Sequence, residues 1–161
     1  MGDIRAVLTH EARSTLLGVF PPKFSETRAD HVTLFLGAAP DANLPDVRDI
    51  AIVGIAADEH VIQALVVTVD GVAANAKGRP YHITWSWDPG QTAPAAYDPN
   101  PKVEKRKSMP VRSMHSSGMI LACGCASFDT PIVLKAGVDF DVVHVDTAPT
   151  PVAAPAPACK P

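Results

Sequence analysis

Two segments of the chain repeat the same order of residue types. His31-Val32-Thr33-Leu34 and His82-Ile83-Thr84-Trp85 both read histidine, apolar, threonine, apolar. Side chains alternate across a β-strand, so a histidine and a threonine two residues apart share a face while the apolar pair takes the other. By strict alternation His31, Thr33 and Phe35 point together, as do His82, Thr84 and Ser86. Should the two strands flank one cleft, two imidazoles and two hydroxyls would converge on a small volume. Such a set suits acid–base chemistry at a phosphoester: one neutral imidazole takes a proton from water and the other donates to the departing oxygen. The threonine hydroxyls would bond the non-bridging oxygens, where charge builds in the transition state. A single His-x-Thr on a strand is commonplace; the duplication carries the argument.

Other residues could hold the substrate. Lys23 sits in the proline-stiffened loop Phe20-Pro21-Pro22-Lys23-Phe24, and Arg79 shortly precedes the second motif, where a guanidinium could grip a phosphate by two bonds. Phe35 is the stacking candidate because alternation gives it the face of His31. Trp85, Trp87 and Tyr81 are assigned to the opposite face and to packing. A basic cluster at Lys102, Lys105, Arg106, Lys107 and Arg112 reads either as a solvated surface loop or as a loop that closes over a nucleotide or contacts an RNA backbone. His10, His60, His115 and His144 lack a partner pattern. Cys123 and Cys125 lie two apart in an apolar run with no second pair, which is not the spacing of a metal knuckle. The reading therefore calls for no metal and no cofactor.

The elements that must position these residues are mostly strands. His31 to Leu36, Ile50 to Ala56, Val61 to Val69 and Tyr81 to Trp87 are rich in β-branched and aromatic residues, and the middle two form a hairpin pattern. Asp3 to Gly18 reads as a helix, with Leu8, Ala12 and Leu16 at four-residue spacing. Gly71 to Gly78 reads as a turn, with a helical stub as the alternative, 91–112 as a long surface loop, and Met119 to Ser127 and Pro131 to Asp146 as a last pair of strands. The Ala/Pro-rich segment 147–161 reads as a disordered tail. The expected organisation is one α+β domain over 1–146, built mainly of antiparallel strands with few helices.

Composition narrows the function classes. Of 161 residues 47% are hydrophobic, enough for a core, and the net charge is -3, from 17 acidic against 14 basic residues. A protein that coats long duplex nucleic acid usually carries a basic surplus. A small anionic ligand needs only a few local donors. The opening residues lack the apolar core of a secretory leader, and no apolar stretch is long enough to span a bilayer. The expectation is a soluble cytoplasmic protein without membrane partners.

Paired His-x-Thr strands resemble the 2H phosphoesterase superfamily, and the likeness runs from about Leu16 to Asp146. It is nearest to the cyclic phosphodiesterase domains of fungal and plant tRNA ligases and their small bacterial and phage relatives. Phe20-Pro21-Pro22-Lys23 before Ala29-Asp30-His31-Val32-Thr33-Leu34, Gly78-Arg79-Pro80-Tyr81-His82-Ile83-Thr84 and the hairpin around Val53 and Gln63 support it. The resemblance implies a two-lobed fold with the motif strands facing a central groove. It implies His31 and His82 as the acid–base pair, in either order, with Thr33 and Thr84 holding the phosphate. The implied substrate is a 2′,3′-cyclic phosphate on a nucleotide or RNA end, or a related linkage. Two alternatives stand beside it: a phage-type nuclease for cyclic oligonucleotide messengers, and a module that binds a nucleotide or RNA end without turnover. Trp85, in place of the usual smaller aliphatic residue, and Ser86-Trp87-Asp88-Pro89-Gly90, which ends the strand early, depart from the family pattern.

Overall fold

The computed structural model describes residues 2–57, 62–88 and 116–146, so the basic cluster, the 147–161 segment, His60 and His115 lie outside the described residues. The elements run β1 (Gly2–Leu8), α1 (His10–Val19), β2 (Glu26–Thr27), β3 (His31–Ala38), β4 (Asp49–Ala57) and β5 (Ile62–Val69). They continue with β6 (His82–Trp87), α2 (Ser116–Cys123), β7 (Ala126–Lys135) and β8 (Phe140–Asp146). All eight strands join one curled sheet in the order β7-β4-β5-β6-β3-β1-β8, with β2 also pairing β6. Every strand ladder is antiparallel. The architecture is the expected mostly antiparallel one with few helices.

Three segments fold differently from the sequence expectation, the simplest being Pro131 to Asp146, expected as one strand, which a turn at 136–139 divides between β7 and β8. Gly2–Leu8 is a strand, not the start of a helix, because it pairs with β3 on one side and β8 on the other. Ile4, Ala6 and Leu8 are buried at every second position, the period of a strand. The helix begins only after Thr9, whose hydroxyl accepts from the Ala12 N–H at 3.3 Å as an N-cap. Leu16 and Ala12 are its buried face, and the two prolines after Phe20 prevent it from continuing.

Met119 to Cys123, expected as the first part of a strand over Met119 to Ser127, lies instead in the helix Ser116–Cys123. An apolar run without clear periodicity fits either state, and here packing decides. Met119 and Ile120 cover Ala56, Ile62, Ala64 and Val66 on the β4–β5 hairpin. Gly124, at φ 73, ends the helix, and its N–H donates to the Ile120 carbonyl at 2.8 Å. The strand that follows, β7, contains Pro131 and lies at the edge of the sheet among the described residues, paired with β4, which is where a sheet tolerates a residue lacking an N–H.

The main core lies on the other face of the sheet. Val32, Leu34, Ile50, Ile52, Leu65, Val67, Ile83 and Trp85 pack there with Leu16 of α1 and Phe140 of β8. The opposite faces of the two motif strands are thereby left for other uses. β3 and β6 adjoin through one register pair, Val32 opposite Ile83.

Candidate active site

The two motif strands meet antiparallel about Val32 and Ile83, which are fully buried and anchor the pair. This register brings His31 toward Thr84 and Thr33 toward His82, around the local two-fold relation of any antiparallel pair. All four side chains line one cleft of about 220 Å³, open to solvent on one side. Its walls also carry Arg5, Arg28 and Arg79, with Asp3, Asn75 and Tyr81. Three guanidinium groups around two imidazoles make this a place for an anion.

The histidines are held by different groups. His82 Nδ1 lies 2.9 Å from the Pro80 carbonyl oxygen. A carbonyl only accepts, so Nδ1 carries the proton and Nε2 of the neutral ring presents a lone pair. Burial lowers the pKa of His82; the Pro80 carbonyl opposes this in part, and the charge of His31 adds to the lowering. The ring is therefore neutral near pH 7. His31 Nδ1 instead meets the carboxylate of Asp30. Burial works to raise the Asp30 pKa, but the hydrogen bond and charge of His31, with Arg28 and Arg5, outweigh it and hold the carboxyl below its usual range.

The hydroxyls differ as well. Thr84 Oγ1 is 2.9 Å from Ser116 Oγ at the start of α2, and both residues are buried. Ser116 can donate to Thr84 and free the Thr84 proton for a ligand in the cleft. Arg5 forms an ion pair with Asp3 at 3.2 Å, while its buried Nε has no partner among the described residues. Arg28 lies over the Trp87 ring at 5.3 Å from its centroid.

Strict alternation fails immediately after each motif, for the same reason in both strands. A register shift between β1 and β3 leaves Leu34 as an extra residue, so Thr33 pairs with Arg5 but Phe35 pairs with Ile4. Phe35 thus turns from the face of Thr33 and stays more than half exposed, while Leu36 takes its place in the cleft wall. In β6 the extra residue is Trp85: Thr84 pairs with Ala64 and Ser86 with Gln63. A β-bulge of this kind reverses which side chains face which way.

Ser86 consequently leaves the cleft. Its Oγ donates to Gln63 Oε1 at 2.6 Å and accepts from the Phe24 N–H at 3.2 Å. Gln63 Oε1 also accepts from the Lys23 N–H at 2.9 Å. Ser86 and Gln63 form a polar clasp on the 21–24 loop, and Lys23 stands over the Phe24 ring, outside the cleft wall. Trp85 is buried in the main core as expected, donating from Nε1 to the Phe20 carbonyl at 2.7 Å. Trp87 is carried by the bulge to the motif side, where it packs with the α2 cluster.

Of the eight sequence-derived candidates, His31, Thr33, Arg79, His82 and Thr84 come together, while Lys23, Phe35 and Ser86 do not. Tyr81, assigned to the far face and to packing, does pack against the main core and also contributes to the cleft wall. Asp3, Arg5, Arg28, Asp30 and Ser116 were missed. Reading Gly2–Leu8 as a strand would have placed Asp3 and Arg5 on one face; Ser116 gave no signal, because its role depends on how α2 packs. Among the described residues no group of three or more His, Cys, Asp or Glu side chains is gathered to hold a metal, and no helix is long and apolar enough to cross a membrane. No family model, curated protein or solved structure matches the chain, so the cleft residues carry the functional reading on their own.

Proposed function

We propose that the protein is a phosphodiesterase of the 2H type, opening a 2′,3′-cyclic phosphate or a related nucleotide phosphodiester by two-histidine acid–base catalysis. The observation that carries this reading is the convergence of His31, Thr33, His82 and Thr84 on one cleft about the Val32–Ile83 pair. Coincidental motifs would have no reason to share a register. The Thr33 and Thr84 hydroxyls bond the non-bridging phosphate oxygens, and Arg5, Arg28 and Arg79 offset the negative charge. One imidazole removes a proton from water as its oxygen attacks phosphorus, and the other protonates the ribose oxygen that leaves. The product is a phosphomonoester.

Ligand pockets, whether clefts or cavities, commonly measure about 300–1,000 Å³. A smaller, open cleft takes the reacting phosphate and its sugar and leaves the rest of the substrate outside. That suits a nucleotide or the end of an oligonucleotide.

The test is turnover in the presence of a chelator. The panel comprises 2′,3′-cyclic mononucleotides, an RNA bearing a cyclic-phosphate end, and cyclic di- and trinucleotides, with His31→Ala and His82→Ala beside the wild type. Turnover abolished by both substitutions supports the reading, and the preferred substrate separates RNA-end processing from destruction of cyclic messengers. Tight binding of one member without turnover would replace the enzyme by a sequestering module.

A further inference from the structure

Neighbouring side chains of a regular strand point to opposite faces, so the residue before a strand histidine does not ordinarily reach its ring. Asp30 does reach it. Asp30 stands just before β3, outside the strand's alternation, and follows Ala29, a fully buried alanine at φ 52, in the left-handed region that non-glycine residues seldom occupy. The Ala29 N–H donates to the Thr84 carbonyl at 2.9 Å, and the Asp30 carbonyl accepts from the Leu8 N–H at 2.8 Å. In this turn, pinned to β6 and β1, the Asp30 carboxylate lies beside His31 just as β3 begins. Strained backbone held by its surroundings is often found where a function requires it.

The second motif has no such arrangement, because His82 Nδ1 rests on the Pro80 carbonyl. A nearly symmetric pair of His-x-Thr strands is therefore asymmetric at the nitrogen that decides each ring's role. We propose that Asp30 is a positioning residue that makes His31 the general acid and leaves His82 as the general base. This rests on the two-histidine reading above. The carboxylate orients His31 through Nδ1–H and compensates the positive charge of the ring, so that Nε2–H is directed at the leaving oxygen. The Pro80 carbonyl fixes the Nδ1–H tautomer of His82 without adding charge, and its Nε2 lone pair is free for water. The low pKa of His82, caused first by burial, agrees with that role.

In the step, His82 Nε2 takes a proton from water as the new O–P bond forms. The P–O bond to the ribose oxygen breaks, and His31 Nε2–H gives that oxygen its proton. The imidazoles then exchange protons with solvent and regain their starting forms. Nothing else is consumed.

The two roles separate by leaving group. A ribose alkoxide needs an acid, whereas a p-nitrophenolate leaves without one. Wild type, Asp30→Asn, Asp30→Glu, His31→Ala and His82→Ala would be assayed on a nucleoside 2′,3′-cyclic phosphate and on a nucleoside p-nitrophenyl phosphate. Acid catalysis contributes roughly 10²–10⁴-fold. Asp30→Asn should lose about 10–100-fold on the cyclic phosphate, part of that range, and within about threefold on the aryl ester. His31→Ala should show the same split more strongly, His82→Ala should fail on both, and Asp30→Glu should restore part of the loss. Because each preparation meets both substrates, the split does not depend on how much of a variant is folded. Equal loss on both substrates for Asp30→Asn, or sparing of His82→Ala on the aryl ester, would overturn the assignment. No turnover of either substrate by the wild type would overturn the phosphodiesterase reading itself, and the role of Asp30 with it.

Discussion

Ser86→Ala and Thr84→Val form a paired test of the bulge in β6. Both residues are buried hydroxyls two positions apart, and strict alternation would aim both at the substrate. With Trp85 as the extra residue they face opposite ways. Removing the Ser86 hydroxyl takes away the donor to Gln63 Oε1 at 2.6 Å and the acceptor of the Phe24 N–H at 3.2 Å. Each net hydrogen bond is worth about 1 kcal/mol, and the part-buried Phe24 N–H left without its acceptor adds to the cost. Together this predicts a loss of about 2–3 kcal/mol. At roughly 2–4 °C per kcal/mol for a chain of this size, Tm should fall by about 4–12 °C. Turnover measured well below Tm should stay near wild type. Thr84→Val keeps the shape but leaves the buried Ser116 hydroxyl without its partner, so it should cost about 1–3 kcal/mol in stability. It should lower kcat sharply, because the phosphate loses a donor. Thermal melts and initial rates on the same preparations would decide it. A Ser86→Ala protein with unchanged Tm and impaired kcat would refute the bulge and the clasp together.

Other consequences can be read from the same structure. The lowered pKa of His82 means the unfolded chain binds more protons than the native one once pH drops below about 6.5, the ordinary histidine value, so stability should fall on acidification through that point. His82→Gln should flatten this part of a Tm–pH curve between pH 8 and 5, and an unchanged slope would contradict it. Asp30 acts lower on the scale: its depressed pKa contributes stability above about 3.8, lost as pH falls through the folded value, so Asp30→Asn should reduce the acid sensitivity of the melt below pH 4. Gly54→Ala would place a methyl 2.7 Å from the Ala126 carbonyl oxygen, and overpacking of this kind costs about 1–3 kcal/mol, visible in denaturant melts as a lower midpoint with unchanged slope. Trp85→Phe leaves the Phe20 carbonyl without its donor at 2.7 Å and should cost about 1–3 kcal/mol, with turnover largely retained at low temperature.

Much of the site was legible because strands report themselves locally. A β-branched run flanked by turn residues pairs somewhere, and the repeated His-x-Thr needs only the two-residue period to share a face. The hairpin of β4 and β5 likewise depends on neighbouring sequence alone. The helix expected over Asp3 to Gly18 was wrong in its first half because Gly2–Leu8 gains its hydrogen bonds from β3 and β8, far away in the chain. The strand expected at Met119 was wrong because an apolar run cannot declare whether it will lie on a sheet or join one.

What the sequence determined by itself was the pair of motifs, the face each shares and the apolar anchors behind them, since alternation is set by backbone stereochemistry. Where alternation stops was decided by tertiary structure. Bulges at Leu34 and Trp85 arise from register with β1 and β5, and they removed Phe35 and Ser86 from the cleft while admitting Leu36. The arginines at 5 and 28, the hydroxyl of Ser116 and the turn that brings Asp30 to His31 were also tertiary decisions. Each depends on contacts between distant segments whose geometry exists only once the sheet has closed around β3 and β6.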